Sequence, residues 1–144
     1  MKIFWDTNVL IDLLMLRKPF YDSASTILTM AEENIWEIVI SSLIIVNSNY
    51  VCCERGKMPK VMWERKIIGL SSLVTFCSLT PESILESCFT EWTDYEDRVQ
   101  YSCALSNQCD YIVTRNIKDY QLSSIPVVDP NEFILLFQSY GFII

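Results

Sequence analysis

The sequence predicts an α/β domain with a mainly parallel sheet covered on both faces by helices. Three observations carry that expectation. Apolar runs of strand length alternate along the chain with stretches of helical periodicity. The 144 residues, 51% of them hydrophobic, suit one domain with a single core. With only 3 Gly and 5 Pro there is no linker, repeat or low-complexity segment to divide the chain.

The elements follow in order. Lys2 to Trp5 is an apolar run ending at Asp6, as a buried first strand requires. Val9 to Leu16, interrupted by Asp12, reads as a helix that Pro19 closes, and Pro19 can sit in the first turn of the next. That second helix puts Phe20, Ala24, Ile27, Leu28 and Ala31 on one face. Trp36 to Ile40 is a second strand, and after Ser41-Ser42 a helix runs to about Arg55, where Gly56 stops it. Another helix covers Pro59 to Leu70, and Leu73 to Cys77 is a third strand. Thr80-Pro81-Glu82 opens a helix with a Thr cap and Pro at its first position. Thr93-Asp94-Tyr95-Glu96 fits a capping box for a helix reaching about Asn107. Asp110 to Thr114 is a fourth strand and Pro126 to Val128 a short fifth. Asp129 to Glu132 caps a last helix with Phe133, Leu136, Phe137 and Tyr140 inward.

Composition excludes several chemistries. There is no histidine, so Ser-His-Asp and Cys-His catalysis and HExxH zinc sites are ruled out. A net charge of -7, from 11 Lys+Arg against 18 Asp+Glu, argues against nucleic-acid binding by bulk charge, though not against a local basic groove. The six cysteines include an adjacent Cys52-Cys53 pair but no C-x-x-C, so no structural zinc is expected. No signal peptide is visible, and the greasiest stretch, Ile35 to Val46, is too short and polar to span a bilayer. The expectation is a cytoplasmic protein, with no membrane association and with reduced, mostly buried cysteines.

In parallel sheets ligands bind beyond the carboxyl ends of the strands. The residues there are Asp6-Thr7-Asn8, Ser41-Ser42, and Thr114-Arg115-Asn116 with Asp119. Asp94 and Asp97 share one face of the first turn of the helix leading into strand four. Carboxylates converging there would repel and raise each other's pKa. A hard cation, Mg2+ or Mn2+, removes that conflict and supports phosphodiester hydrolysis.

At these residues the sequence resembles the PIN-domain family. The matching segments are Asp6 to Asp12, Asp94 to Tyr101, Asp110 to Tyr120, and the ending Pro126 to Phe133. The resemblance covers residues 1–144 as a single PIN-like domain. It implies a three-layer α/β/α fold with a five-stranded parallel sheet in order 3-2-1-4-5. It also implies a Mg2+- or Mn2+-dependent endoribonuclease on single-stranded RNA, with an antitoxin partner in many bacterial toxins and a homodimer as a common state. Asp6 carries over as the first metal-binding carboxylate and Asp97 as the acid before strand four, with Asp94 beside it. Thr114-Arg115-Asn116 matches the motif after strand four. The chain departs from the family at two positions: Asn47 stands where many members carry Glu, and Asn116 where Asp is usual, with Asp119 three residues on. Asn brings no charge and cannot act as a base, so a single weakly held cation is expected.

The candidate catalytic acids are therefore Asp6, Asp97 and Asp119, with Asp6 and Asp97 as metal ligands. Asn8, Asn47, Asp94, Thr114 and Asn116 are supporting residues, and Arg115 is a candidate RNA contact. Each has a plainer reading. Asp6 and Asp94 also fit helix caps, Thr114 can satisfy a backbone group, and Arg115 can pair with an acid. Asp12 is expected to stabilise its helix or face solvent. Trp63 is expected to pack rather than stack on a base, and the basic 55–66 stretch to be a solvated face. Two other functions stay open: a PIN-like binding module without catalysis, motivated by Asn47 and Asn116, and a haloacid-dehalogenase-like phosphohydrolase, which needs an acid where Asn8 stands.

Overall fold

The computed structural model describes residues 1–138. Strands β1 (Lys2–Trp5), β2 (Glu37–Ser41), β3 (Val74–Cys77), β4 (Tyr111–Val113) and β5 (Val127–Val128) form one sheet in order β3-β2-β1-β4-β5. Every neighbouring pair is parallel, with Phe4 opposite Val39 on one side and Ile112 on the other. Helices α1 (Thr7–Leu14), α2 (Phe20–Glu32), α3 (Ser42–Asn49), α4 (Lys60–Leu70), α5 (Pro81–Glu86), α6 (Tyr95–Ser106) and α7 (Pro130–Gln138) connect the strands. Tyr140, expected on the inner face of the last helix, lies outside the described residues.

Consecutive strand residues point to opposite faces, so burial along a whole strand requires cover on both. Ile3, Phe4 and Trp5 are all 0% exposed, which places β1 at the centre of a three-layer arrangement. Beneath α2 and α7 the Trp36 ring packs edge-on against Phe133 at 5.0 Å, and its indole N–H donates to the Ile27 carbonyl at 2.9 Å. Burying an aromatic ring such as Phe133 contributes roughly 1.5–3 kcal/mol. On the other face, fully buried Gln100 of α6 accepts from the Ser41 hydroxyl at 2.6 Å. This bond fixes α6, and the acids of its first turn, against the end of β2.

Several local expectations are corrected. α1 starts at Thr7, two residues early, because Asp6 caps it. Phe20 is exposed and lies over the Arg115 guanidinium at 4.1 Å instead of entering the core, while Ser23 and Met30 join Ala24, Ile27 and Ala31 inside. The helix after β2 changes at Tyr50 to a π-helical stretch, Tyr50–Arg55. It ends at Arg55 with Gly56 as its cap, where the sequence placed the stop; Gly56 has an ordinary φ of -82°, and Lys57 takes the positive φ of 58°. Gly56 is needed for room, since a Cβ there would meet the Cys52 carbonyl oxygen at 2.8 Å. The cap of α6 is Asp94, accepting from the Asp97 amide at 3.1 Å, and the reciprocal capping box occurs at Thr80 and Ser83 instead. Asp129 caps α7 as expected, accepting from Asn131 and Glu132.

Candidate active site at the carboxyl edge of the sheet

The chain leaves β1 at Trp5, and the next residue must both end the strand and start α1. Asp6 does this with an extended backbone and an Oδ1 that accepts from the Thr7 amide at 2.7 Å. Its Oδ2 accepts from the Asn8 side-chain amide and from the Thr114 hydroxyl, each at 2.7 Å. The Thr114 oxygen also accepts from the Asn8 side chain and from the Asn116 amide, both at 3.0 Å. Asn8 Oδ1 closes the ring by accepting from the Arg115 amide at 3.0 Å. Asp6, Asn8, Thr114 and the Asn116 backbone are thus one network joining the ends of β1 and β4.

Asp6 is 6% exposed, and burial pushes its carboxyl above the ordinary value despite the hydrogen bonds from Thr114 and Thr7. Asp97, one turn into α6, is pushed up to about 7, first by burial and then by the charges of Asp6, Asp94, Asp119 and Glu96. Asp119 reaches the same space from a 3-10 turn, Ile117–Tyr120, and its charge raises Asp6 as well. A cavity of about 350 Å³ lies between Thr93, Asp94, Asp97, Lys118 and Asp119. Asp97 of α6 and Asp119 of the turn after β4 therefore share one opening, and Asp6, buried at the end of β1, lies close enough for its charge to act on Asp97.

Sequence reasoning did not single out two residues here. Glu96 accepts from the Asn47 side-chain amide at 2.7 Å, and burial and the charges of Asp94 and Asp6 raise its carboxyl, with Asn47 partly offsetting them. Tyr120 is 2% exposed, and burial together with the charges of Asp6 and Asp97 raises its phenol. Its hydroxyl lies beside Asp6 outside regular hydrogen-bond geometry. The available signal was adjacency alone: Glu96 precedes Asp97, and Tyr120 follows Asp119.

Other candidates are placed differently. Asp12 does not face solvent; it is 1% exposed and accepts from Arg115 Nε at 2.6 Å and Nη2 at 3.2 Å. That forked pair, covered by Phe20, gives the Arg115 guanidinium a structural role at the edge of the site. Trp63 packs half-buried and donates to the Ser48 hydroxyl at 3.1 Å. Cys52, Cys77, Cys103 and Cys109 are buried, and all six cysteines are free thiols.

The donor set suits a hard cation: it is all oxygen and it carries excess negative charge. Among the described residues no three carboxylates or thiols lie around one point at ligating distance. Mg2+ needs only one or two carboxylates, with water in its remaining positions. Asp6 already spends three of about four acceptor sites on Thr7, Asn8 and Thr114, so it has roughly one to offer. Asp6 and Asp97 therefore fit a two-carboxylate site.

Comparison with known families decides the lineage. The family model described as PIN domain matches residues 2–118. The chain belongs to the PIN-domain family. Among solved structures, this PIN domain is similar to VapBC2 of Rickettsia felis, a complex bound to a DNA fragment from its promoter (TM-score 0.65, 19% identity, covering 90% of this chain and 98% of that one). A toxin-antitoxin complex from Klebsiella pneumoniae is similar at TM-score 0.62 and 22% identity, covering 89% and 97%. VapC20 of Mycobacterium tuberculosis, a sarcin-ricin loop cleaving toxin, is similar at TM-score 0.60 and 13% identity, covering 98% and 96%. No curated protein sequence matches the chain. Membership of this family sets aside the phosphohydrolase alternative, whose second acid is here Asn8, a donor to Asp6.

Proposed function

We propose that this PIN domain is a metal-dependent endoribonuclease acting on single-stranded RNA and serving as the toxin of a toxin–antitoxin pair. The carrying observation is the convergence of three acids from separate parts of the chain: Asp97 and Asp119 line one polar cavity, and buried Asp6 lies close enough behind it for its charge to act on Asp97. Structural similarity to a toxin-antitoxin complex and to a sarcin-ricin loop cleaving toxin supports the reading. Asp6 and Asp97 would hold Mg2+ or Mn2+, with Asn8 and Thr114 fixing the Asp6 carboxylate. The cation supplies Lewis acidity toward a phosphodiester and makes water a stronger acid. Asp119, exposed at the rim of the cavity, is the carboxylate free to take a proton from attacking water. Asp94 caps α6 through the Asp97 amide and lines the same cavity as Asp97.

The test is direct. Purified protein with Mn2+ should cut single-stranded RNA, and Asp6→Asn or Asp97→Asn should lower the rate by at least about 100-fold. Absence of cutting, or cutting that survives both substitutions, would falsify the assignment. A non-catalytic binding role is favoured by one feature, the uncharged Asn47 and Asn116 at family acid positions. RNA or protein binding in protein that takes up no Mn2+ would establish that role instead.

The partners follow from the same reading: RNA as substrate, an antitoxin protein, and a second copy of this chain. Among the described residues no helix is long and apolar enough to cross a membrane. A cytoplasmic setting, in keeping with the free thiols, completes the proposal. Light scattering of the isolated chain checks the homodimer, and a monomeric mass at all concentrations excludes it.

A further inference from the structure

We propose that Glu96, presented by Asn47, supplies the acid that α3 lacks, so that the cation site receives this carboxylate from the first turn of α6. The inference rests on the metal-dependent reading above. Asn47 stands on α3 where the family motif carries Glu, and an amide there cannot bring charge. It can donate, and it does so to Glu96 Oε1 at 2.7 Å.

An acid in a first helical turn is favoured by the helix dipole whatever its rotamer. That explains why Glu96 is tolerated at this position, but not why it is drawn toward α3. Glu96 lies close enough to Asp6, Asp94 and Asp97 for their charges to repel, so an unrestrained side chain would turn out to water. The Asn47 bond holds it on the acid side instead.

Two buried polar groups face the same cluster without an acceptor. Gln100 is 0% exposed and sits one turn beyond Glu96 on the same face of α6. Its Oε1 is taken by Ser41, while its Nε2 lies beside the Glu96 carboxylate outside regular hydrogen-bond geometry. The Tyr120 hydroxyl, also buried and unpartnered, is affected by the charges of Asp6, Asp97 and Glu96 together. Unsatisfied donors at full burial are costly unless a ligand or its water shell completes them. One donor lies beside Glu96 and the other beside Asp6, two acids close enough for the charge of Asp6 to act on Glu96.

Calorimetric titration of Mn2+ into the full chain tests this, with thermal unfolding confirming that each variant is folded. Wild type should bind, and Asp97→Asn should abolish binding. Glu96→Gln, which keeps the shape and loses the charge, should weaken binding by about 10-fold or more. The exchange variant Asn47→Glu/Glu96→Gln should recover toward the wild-type affinity, because the carboxylate is returned to α3. An unchanged affinity in Glu96→Gln, or an exchange variant as weak as Glu96→Gln, overturns the inference while leaving the ribonuclease reading intact. Wild type that binds no Mn2+ overturns both.

Discussion

At the scale of single residues, the site is a set of acids placed where their charges conflict. Asp97 shows the consequence for stability. Its carboxyl moves from 3.8 to about 7 in the folded chain. Between those values the folded state keeps a proton that the unfolded state releases, so stability falls as pH rises through the window and the full penalty applies above about 7. Asp97→Asn should therefore stabilise the metal-free protein by about 1–2 kcal/mol at about pH 8, after discounting for partial exposure, and by nothing near pH 4. Urea midpoints at the two pH values check this; equal gains at both would remove the electrostatic explanation. Thr114 acts in the opposite direction. Its hydroxyl donates to buried Asp6 and accepts from Asn8 and the Asn116 amide. Thr114→Val keeps the shape but strands those groups, and should cost roughly 1–3 kcal/mol in the same assay. A third residue-scale expectation concerns Asp12. Asp12→Ala leaves Arg115 without its forked partner and should cost about 3 kcal/mol, slightly less if the guanidinium turns to water.

At the scale of elements, alternation of apolar runs with helical periodicity identified all five strands; the reason is clearest for β1, buried on both faces and apolar from Ile3 to Trp5, while edge strand β3 is half exposed at Thr75 and Phe76. What escaped the sequence were contacts made between elements. Asp12 has the pattern of a solvated helix residue until β4 brings Arg115 beside it. Phe20 falls on the apolar stripe of α2, yet its ring is used to cover that same guanidinium. The box motif at Thr93 lost to Asp94, whose carboxylate accepts from the Asp97 amide, and the box at Thr80 lacks the usual sequence mark because its reciprocal partner is Ser83 and not Glu. Asp6, Asp97 and Thr114 stand out in the sequence because each sits at a strand or helix terminus at the carboxyl edge; the Glu96 contact does not, because it is made with Asn47 across an interhelical gap. Gly56 carries the element-scale prediction. An added methyl group meets backbone at Cys52 and the Met15 side chain, at the junction of the π-helical stretch with α1. Gly56→Ala should destabilise by about 1–3 kcal/mol, even though alanine ordinarily favours helical backbone. A gain in the urea midpoint would show that the stretch relaxes and that its π geometry is not fixed by this contact.

At the scale of the whole molecule, the chain carries -7 overall and concentrates part of that charge at one edge of its sheet. Net charge of one sign destabilises a compact state through self-repulsion and disfavours approach of an RNA backbone. Cation binding at Asp6 and Asp97 would act on both, since it neutralises the local excess and is available only to the folded chain. Linkage then predicts a stability gain of about 2.7 kcal/mol at a Mn2+ concentration 100 times the dissociation constant. For a chain of this length that corresponds to a rise of roughly 8 °C in the thermal midpoint. The gain should shrink as pH falls below about 7, because Asp97 then holds a proton that competes with the cation. It should vanish in Asp97→Asn, and the variant should instead start from the higher metal-free midpoint argued above. The two shifts have the same sign but come from different changes: metal raises the wild-type midpoint, and removal of the charge raises the metal-free one. Differential scanning calorimetry on both proteins, with and without Mn2+, measures all four states. An equal Mn2+ response in wild type and Asp97→Asn would place the cation elsewhere on the acidic surface and detach the fold's charge balance from its chemistry.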